Sequence, residues 1–407
     1  MKIVEINSVL YGSTGKIMLQ IAEKAKKEGH EVFVCVPLGR HNKKGEKNII
    51  YIGNRVSEDL HLILSRLSGF NGSFSILATA KFIKKLKKIK PDIIHIHNLH
   101  NSYINLPMLF NYIKTENIPV VWTLHDCWAF TGHCPYFTLK KCNKWISGCY
   151  KCPSYRDYPE SFIDTTRFTW NLKKKWFTGV KNMTIITPSR WLANLTKKSF
   201  LKEYKVQVIN NGIDIDTFKP VVTDFRKNNN ITNEQIMLLG VAFDWGIRKG
   251  IDVFVDLYKR LDKQKYKIVL VGVDEELAKK LPESIIKIQK TRNQNDLAEI
   301  YSAANILINP TREDNYPTVN MESIACGTPV ITFNTGGSVE VISTDTGAVV
   351  ACNDINTLET KIYELENKKY HTQETIKSAA KSYDCNKRFK EYVKLYENIT
   401  HCAKCTL

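Results

Sequence analysis

Short apolar runs alternate with amphipathic stretches along this chain, and that alternation constrains its fold more than any other feature. Apolar runs of strand length occupy ten positions: 2–6, 31–36, 92–97, 119–124, 183–187, 206–209, 236–241, 267–272, 305–308 and 329–333. Helical periodicity is clearest at seven: 15–28, 74–89, 190–200, 250–262, 294–303, 355–366 and 386–399. Strands joined by crossover helices pair in parallel, so the pattern predicts an α/β fold built on parallel sheets.

The chain is long enough for two domains, since 407 residues suffice for two separate hydrophobic cores. The turn-rich sequence NNGID at 210–214 follows a predicted strand and breaks the alternation near the middle of the chain. We therefore predict a domain boundary there, with an N-terminal domain over 1–213 and a second domain that begins at 214.

The positive charge of the protein is confined to one half. The formal net charge is +18, and residues 1–213 carry 33 Lys and Arg against 14 Asp and Glu, whereas 214–407 carry 26 against 27. A basic half suits an acidic partner: an anionic membrane surface, a phosphorylated acceptor or nucleic acid. The lysine-rich stretch 81–90 has apolar residues at helical spacing. It fits a solvated surface helix or a helix that contacts a membrane.

Cysteine usage and hydropathy indicate the compartment. The eleven cysteines are unevenly spaced and do not form a disulfide framework in a chain of this size. No apolar stretch reaches the length of a membrane-spanning helix, and the N-terminal MKIVEINSV predicts a strand instead of a secretory signal. Together these features predict a cytoplasmic protein.

The stretch REDNYPTVNMESIACGTPVITFNTGG at 312–337 holds the strongest candidate ligand site. Pro317 suits the first turn of a helix and Gly327 suits its C-terminal cap, and a short β-branched strand follows. Asp314 and Glu322, with seven residues between them, lie across the predicted helix start. Such a helix start presents N–H groups to a ligand and favours an anion, most naturally a phosphate.

Polar residues also close two predicted strands of the first half. His125 and Asp126 follow the strand at 119–124, while His97 and Asn98 close the strand at 92–97. Ligands of open α/β sheets bind at the carboxyl ends of strands, so these residues are candidates for a site. A lone histidine is more often structural, but its position at a strand end favours a functional role for His125.

Two glycine-containing motifs are candidates for phosphate contacts. Gly15 belongs to YGSTGK after the first strand, where its backbone can approach a ligand, although a plain strand–helix turn explains the motif equally well. Arg248 and Lys249 precede Gly250 at the start of a predicted helix. Cations there would offset charge on a departing diphosphate without a metal; an ordinary solvated basic pair is the alternative.

Cysteines crowd into the segment 127–153. Four of them, in a C-x7-C-x6-C-x2-C pattern, form a candidate tetrahedral thiolate set for a structural zinc: Cys134, Cys142, Cys149 and Cys152. Scattered buried cysteines explain the same pattern equally well, so the sequence leaves both interpretations open.

The stretch at 312–337 resembles the donor-sugar signature of glycosyltransferase family 4. Members of that family are retaining enzymes of the GT-B fold, in which two Rossmann-like domains with parallel sheets face each other across a cleft. Asp314 stands where most members carry Glu, and EDNYP with Asp resembles the subgroup that builds bacterial surface polysaccharides such as colanic acid, O-antigen and capsule. The resemblance implies that Glu322 binds the nucleotide ribose and that Asp314, with the amides of Asn315 and Tyr316, lies near the donor.

The resemblance extends to the other motifs. It implies that Lys249, Arg248 and Gly15 contact the donor diphosphate and that His125 joins Asp314 and Lys249 at the reacting centre. Residues on the acceptor side are then His97, Asn98 and Asp126. The subgroup carries a similar cysteine-rich insertion, here 127–153. By the same resemblance the nucleotide-sugar domain covers 214–384, and the C-terminal helix at 385–407 packs back on the acceptor-binding N-terminal domain.

The resemblance implies a retaining hexosyltransferase that needs no catalytic metal. Its donor would be a UDP- or GDP-sugar and its acceptor a lipid-diphosphate-linked glycan, used by a peripheral protein on the inner face of the cell membrane, without nucleic acid. Two alternatives stay open. A nucleotide-sugar epimerase of the same architecture would need no acceptor. A basic zinc-containing nucleic-acid-binding protein would explain the charge but not the acidic signature.

Overall fold

The computed structural model describes residues 1–42, 45, 48–366 and 373–405. The chain divides into two compact units: Met1–Asn210 together with the residues from Lys387 onward, and Asn211–Asn386. Each unit contains its own parallel sheet. Within the described residues, every helix is too short or too polar to cross a lipid bilayer.

The first unit contains a seven-stranded sheet in the order β3-β2-β1-β4-β5-β6-β7, with every neighbouring pair parallel. Its strands are β1 (Lys2–Ile6), β2 (Glu31–Pro37), β3 (Ile49–Ile52), β4 (Ile93–Ile96), β5 (Val120–Thr123), β6 (Met183–Thr187) and β7 (Lys205–Val208). Its helices are α1 (Gly12–Lys27), α2 (Arg55–Ser68), α3 (Ile76–Ile89), α4 (Leu106–Thr115), α5 (Thr166–Phe177) and α6 (Arg190–Lys198). The segment between β5 and α5 contains two 3₁₀ turns, Trp128–Phe130 and Lys144–Ile146.

The second unit contains a six-stranded parallel sheet in the order β10-β9-β8-β11-β12-β13. Its strands are β8 (Ile236–Val241), β9 (Tyr266–Val271), β10 (Ile286–Ile288), β11 (Ile306–Asn309), β12 (Val330–Phe333) and β13 (Gly347–Val350). Its helices are α7 (Phe225–Asn228), α8 (Ile251–Arg260), α9 (Glu275–Lys280), α10 (Gln294–Ala303), α11 (Thr318–Ala325), α12 (Ile355–Glu366) and α13 (Gln373–Tyr383), with 3₁₀ turns at Ile247–Lys249 and Ser338–Val341.

A long helix, α14 (Cys385–Cys405), closes the described chain. From Lys387 onward it belongs to the first unit, where it buries residues at helical spacing: Phe389, Tyr392, Val393 and Tyr396. Two of these, Tyr392 and Tyr396, contact the polar side chains of β5, β1 and β4. The helix therefore covers a part of the sheet that is not purely apolar.

The structure confirms the predicted α/β class with two Rossmann-like parallel sheets, and every predicted strand is present. Central strands such as β4 and β5 are buried along their whole length, as expected when helices cover both faces of a parallel sheet. The sequence analysis did not predict three of the strands: β3, β10 and β13. All three lie at sheet edges and are only partly buried, so they lack the continuous apolar run that marks a central strand.

Candidate active site

The helix predicted within the signature is α11. It begins at Thr318 directly after Pro317, whose side chain cannot cap it, and Gly327 follows its end in a left-handed conformation (φ +88°). Apolar residues on one side of the short helix, Met321 and Ile324, are buried in the core of the second unit. The predicted helix, its glycine cap and the strand after it are thus confirmed.

Lys249 and Asp314 form an ion pair, although 65 residues separate them in the sequence. The Nζ of Lys249 lies 2.5 Å from Oδ2 of Asp314, and both side chains remain partly exposed. Lys249 ends the 3₁₀ turn after β8, and Gly250 (φ +76°) is the N-cap residue directly before α8. A Cβ at Gly250 would lie 2.5 Å from the carbonyl oxygen of Pro310, so only glycine lets this turn approach the signature loop.

Arg312 fixes the loop that carries Asp314. Its guanidinium makes two hydrogen bonds to the carboxylate of Asp252, at 2.8 and 2.7 Å, and Nε donates to Oδ1 of Asn353 at 2.7 Å. A fourth bond, from Nη1, reaches the carbonyl of Ile247 in the turn before Lys249. The hydrogen bonds and the charge of Arg312 lower the pKa of Asp252. The sequence analysis missed Arg312, although it lies two residues before Asp314.

The backbone of Asp314 rests on the glycines that follow β12. Gly336 has φ +55°, and a Cβ on it would lie 1.9 Å from the carbonyl oxygen of Asp314. The same oxygen accepts a hydrogen bond from the amide of Gly337 at 3.2 Å. These glycines therefore have a structural role: they hold the Asp314 loop against the end of β12.

Glu322 is half-buried on α11 and held by a tyrosine. The hydroxyl of Tyr301 donates to Oε2 of Glu322 at 3.0 Å. Burial raises the pKa of Tyr301 well above its ordinary value, and the Glu322 carboxylate raises it further, so the hydroxyl stays a proton donor. One carboxylate oxygen of Glu322 is thereby fixed in direction.

The other predicted donor residues lie in the same loops. The guanidinium of Arg248 donates to the carbonyl of Glu313 at 3.1 Å. Asn315 and Tyr316 are buried, and the amide of Asn315 donates to Oδ1 of Asp314 at 2.9 Å. The structure thus brings Arg248, Lys249 and the signature loop together at the carboxyl ends of β8 and β11.

The first unit contains a second polar cluster, around His125. Nε2 of His125 lies 3.0 Å from Nδ1 of His97, and the two rings are nearly parallel. Nε2 of His97 lies 3.0 Å from Oε2 of Glu5 in β1. His125 is partly exposed, whereas His97 and Glu5 have no exposed side-chain surface. His97 therefore lies behind His125, in the interior.

Asp126 and Asn98 contact neighbouring loops. One oxygen of Asp126 accepts from the amide of Trp128 at 2.8 Å and the other lies 3.1 Å from Nε2 of His100. His100 also contacts the hydroxyl of Tyr158 at 2.8 Å. The backbone amide of Asn98 donates to Oδ1 of Asn7. These contacts order the loops beside His125.

Gly15 lies inside a helix instead of a loop. α1 begins at Gly12, three residues earlier than predicted, so Gly15 belongs to its first turn. A Cβ on Gly15 would lie 2.4 Å from the backbone carbon of Leu10. Close packing of the helix on the preceding loop explains this glycine.

The four cysteines of the predicted zinc site are unpaired thiols, and no three of their sulfurs lie within 4.8 Å of one another. Cys134 contacts Cys152, which raises the pKa of Cys134, while Sγ of Cys149 accepts from the amide of Gly132 at 3.2 Å. A tetrahedral site would bring all four sulfurs around one point. The structure gives the zinc prediction no support.

A buried lysine organises the cysteine-rich segment, and the sequence analysis missed it. Nζ of Lys173, on α5, donates to the carbonyls of Trp128 and Thr131 at 2.8 and 3.2 Å and lies 3.4 Å from the centre of the Trp128 ring. Burial lowers its pKa to about 7. Lys173 anchors the 3₁₀ turn that follows His125 and Asp126.

Comparison with known proteins defines the class. Residues 222–383 match the family "Glycosyl transferases group 1", and residues 14–217 match "Glycosyltransferase Family 4". WcaC of Escherichia coli K12, whose name describes a colanic acid biosynthesis glycosyl transferase, is 26% identical over 76% of this chain and 77% of its own. A Campylobacter jejuni relative, N,N'-diacetylbacillosaminyl-diphospho-undecaprenol alpha-1,3-N-acetylgalactosaminyltransferase, is 26% identical over 49% of this chain and 56% of its own.

Two solved structures share the fold. Sucrose-phosphate synthase from Thermosynechococcus elongatus has a TM-score of 0.71 at 18% identity and covers 98% of this chain and 99% of its own. HepE of Anabaena in complex with UDP-glucose has a TM-score of 0.67 at 14% identity and covers 98% of this chain and 100% of its own.

The GT-B fold and the matched sequences define an enzyme of the glycosyltransferase class. Since half of its residues match that family, the chain belongs to glycosyltransferase family 4.

Proposed function

We propose that this protein transfers a sugar, with retention of configuration, from a nucleoside-diphosphate sugar to a lipid-diphosphate-linked glycan during assembly of a bacterial surface polysaccharide. The observation that carries the proposal is the Lys249–Asp314 pair, which Arg312 and Gly336 hold beside α11 and Glu322. The relationship to WcaC supports the polysaccharide pathway, and the UDP-glucose complex of HepE supports the type of donor.

In this proposal the second unit binds the donor. Lys249 and Arg248 contact the diphosphate, whose negative charge competes with Asp314 for the ammonium of Lys249. Asp314 then accepts a hydrogen bond from a hydroxyl of the sugar. Glu322, already directed by Tyr301, accepts hydrogen bonds from the ribose hydroxyls. The amides of Asn315 and Tyr316 complete the donor contacts.

The chemistry follows from the charge that develops on the donor. The bond between the anomeric carbon and the phosphate oxygen breaks, and Lys249 stabilises the negative charge on the departing diphosphate. The departing oxygen takes the proton of the acceptor hydroxyl on the face it leaves. The hydroxyl oxygen then bonds to the anomeric carbon from that face, which retains the configuration. His125 orients the reacting sugar, while Asn98 and Asp126 belong to the acceptor side.

Exposed apolar residues on a surface of the first unit support the proposal of a lipid-linked acceptor. On α2, four apolar side chains recur at helical spacing, and each is more than half exposed: Val56, Leu60, Ile63 and Leu67. We call them the α2 apolar stripe. The amide of Phe162 donates to the carbonyl of Arg66 at 2.9 Å, which places the exposed Phe162 and Ile163 next to this helix.

An exposed apolar stripe on a strongly basic unit suits the surface of an anionic membrane, where apolar groups insert and lysines meet lipid phosphates. The name of the Campylobacter jejuni relative contains N,N'-diacetylbacillosaminyl-diphospho-undecaprenol, a sugar linked through a diphosphate to a polyprenol. We therefore propose a peripheral protein at the inner face of the cell membrane.

The donor proposal is tested with a panel of nucleoside diphosphates and their sugars, first by thermal shift and then by transfer to lipid-diphosphate acceptors. Glu322→Ala is expected to abolish transfer and weaken nucleotide binding while the protein stays folded. Glu276→Ala, an exposed carboxylate of α9, is the matched control and should behave as wild type. Full transfer activity of Glu322→Ala would contradict the donor assignment.

The same assays separate the alternatives. An epimerase would isomerise the free sugar nucleotide without any acceptor, and a nucleic-acid-binding protein would be retained on DNA in a salt-dependent manner. No observation in the described residues favours either. Membrane binding is tested by sedimentation with anionic vesicles, in which Leu60→Ser with Ile63→Ser should lower the bound fraction and the exposed control Val222→Ser should not.

A further inference from the structure

We propose that Glu5 and His97 are positioning residues that hold His125 in a single tautomer, with its proton on Nε2. The inference rests on the proposed function, in which His125 orients the reacting sugar. It assigns a task to two buried groups for which neither the fold nor the donor chemistry provides one.

The three side chains form a continuous chain of hydrogen bonds. Oε2 of Glu5 lies 3.0 Å from Nε2 of His97, and Nδ1 of His97 lies 3.0 Å from Nε2 of His125. The rings of His97 and His125 are stacked, with an angle of 13° between their planes. These hydrogen bonds lead from Glu5 on β1, at the centre of the sheet, to the partly exposed His125 at the end of β5.

The chemistry of the three groups determines which ring nitrogen atoms carry a proton. A carboxylate only accepts hydrogen bonds, so Nε2 of His97 must carry a proton. A neutral His97 then has its lone pair on Nδ1, and Nε2 of His125 must donate to it. The lone pair of a neutral His125 is thereby assigned to Nδ1. Through Nδ1 this ring can then accept a hydrogen bond but cannot donate one.

The ionisation states agree with this assignment. Burial alone would raise the pKa of Glu5, but its contacts with His95 and His97 bring the value down to about 2. Burial and the neighbouring His95 lower the pKa of His97 to about 4. The pKa of His125 also lies well below its ordinary value, because burial and the neighbouring histidines disfavour its charged form. At neutral pH, Glu5 is charged and both of these histidines are neutral.

Glu5 is itself held in place from two further directions. Its Oε1 accepts a hydrogen bond from the hydroxyl of Tyr396 at 3.1 Å, and its Oε2 lies 2.8 Å from Nδ1 of His95. His95 in turn contacts the hydroxyl of Thr123 through Nε2 at 2.8 Å. Possible metal-ligand atoms of Glu5, His95 and His97 lie within 4.8 Å of one another. Each of these atoms already takes part in the hydrogen bonds described above, so the cluster needs no metal ion to compensate its buried polar groups.

The burial of Glu5 indicates a role beyond stabilising the fold. Its neighbours on β1, Val4 and Ile6, are fully buried and apolar, and an apolar residue would fill the same site without burying a charge. Four elements, β1, β4, β5 and α14, supply groups to this network. A purely structural network would be complete without His125, whereas here the last member of the chain is the residue predicted at the reacting centre.

The test is nitrogen NMR of the full-length protein labelled with ¹⁵N-histidine, with the His125 signals assigned by His125→Gln. We expect the wild type to show a protonated Nε2 and an unprotonated Nδ1 at His125. In Glu5→Gln the amide no longer requires a proton on His97 Nε2. Both tautomers then become populated, and the two His125 nitrogen signals move toward each other.

The kinetic counterpart is a fall of about tenfold to a hundredfold in kcat for Glu5→Gln, with the KM for the donor unchanged. The matched control is Tyr392→Phe, a buried residue of α14 that contacts Thr123, and it should keep the wild-type signals and kcat. A proton on Nδ1 of His125 in the wild type would overturn the inference. Unchanged His125 signals in a folded Glu5→Gln protein would overturn it as well.

The failure of the proposed function would look different. Full transfer activity of His125→Ala would remove His125 from the reacting centre. The spectrum of the wild type would still decide whether Glu5 and His97 fix its tautomer.

Discussion

The two polar clusters of this protein are assembled in different ways. In the second unit, most of the candidate site comes from one stretch of sequence, and its central ion pair, Lys249 with Asp314, is partly exposed. In the first unit, the His125 cluster draws on four separate elements, and Glu5 and His97 are buried behind it. The first arrangement suits a site that exchanges internal partners for a charged ligand. The second suits a fixed scaffold whose protons do not move with the ligand.

The largest effect that would test this comparison is expected at Lys249. Lys249→Ala removes the cation that we propose offsets the charge of the departing diphosphate, and we expect kcat to fall about a thousandfold, equivalent to about 4 kcal/mol. The melting temperature should stay close to that of wild type, because the side chain is partly exposed. Lys259→Ala, on the exposed side of α8, is the control. Transfer at the wild-type rate in Lys249→Ala would remove this residue from the mechanism.

Acid should destabilise the first unit through its buried cluster. The folded-state pKa values of Glu5 and His97, about 2 and about 4, lie below their ordinary values of 4.5 and 6.5. The unfolded chain therefore binds more protons as the pH falls, and stability decreases from pH 6.5 downward. The part due to Glu5 is present above pH 4.5 and lost toward pH 2. It is on the order of 3 kcal/mol.

Tryptophan fluorescence can follow this loss selectively. Six of the seven tryptophans lie in the first unit, and Trp245→Phe removes the seventh. Thermal unfolding of that variant from pH 7 to pH 3 should show a falling melting temperature, and Glu5→Gln should flatten the part of the fall below pH 4.5. A melting temperature that does not change with acid would contradict the buried, ionised state of Glu5.

Arg312→Lys tests whether the proposed donor site around Lys249 and Asp314 depends on the geometry of Arg312 or only on its charge. Lysine keeps the charge but cannot form the paired hydrogen bonds to Asp252 or reach Asn353 at the same time. We expect kcat/KM to fall about thirtyfold, equivalent to about 2 kcal/mol, through a misplaced Asp314 loop. Arg292→Lys, an exposed arginine paired with Asp296, should have no effect on kcat/KM. Equal activity of the two variants would show that charge alone suffices.

The smallest expected effect is that of Tyr301→Phe. The substitution removes one hydrogen bond to Glu322 and leaves its charge in place. Affinity for the nucleoside diphosphate should fall by up to about tenfold, equivalent to about 1.4 kcal/mol, as measured by isothermal titration calorimetry. Tyr258→Phe, whose hydroxyl bonds to the exposed Ser284, is the control. A larger loss than that of Glu322→Ala would show that Tyr301 does more than direct this carboxylate.

Local sequence predicted a large part of this protein. The central strands were predicted because burial on both faces makes them mostly apolar, and α11 was predicted because Pro317 and Gly327 mark its ends. Edge strands such as β3 were missed because they are only partly buried. α2 was missed as well, since its exposed apolar stripe disturbs the polar face by which a surface helix is recognised.

Sequence patterns did not predict contacts between residues that are far apart in the chain. Arg312 is the first residue of the signature stretch, but its role depends on Asp252 and Asn353, which the fold brings to it. Glu5 is one charged residue inside a strand, and nothing near it in the sequence reveals His97 or Tyr396 as partners. The cysteine spacing suggested a shared metal, but the fold does not gather the four sulfurs.

The sequence by itself determined the class of fold, the central strands and the local geometry of the signature, because these depend on hydrophobic periodicity and on residues with restricted backbone angles. Tertiary structure alone decided which charges meet and which protons are fixed. Those features depend on distances between segments that are far apart in the chain, and their energies depend on burial, which no single segment specifies.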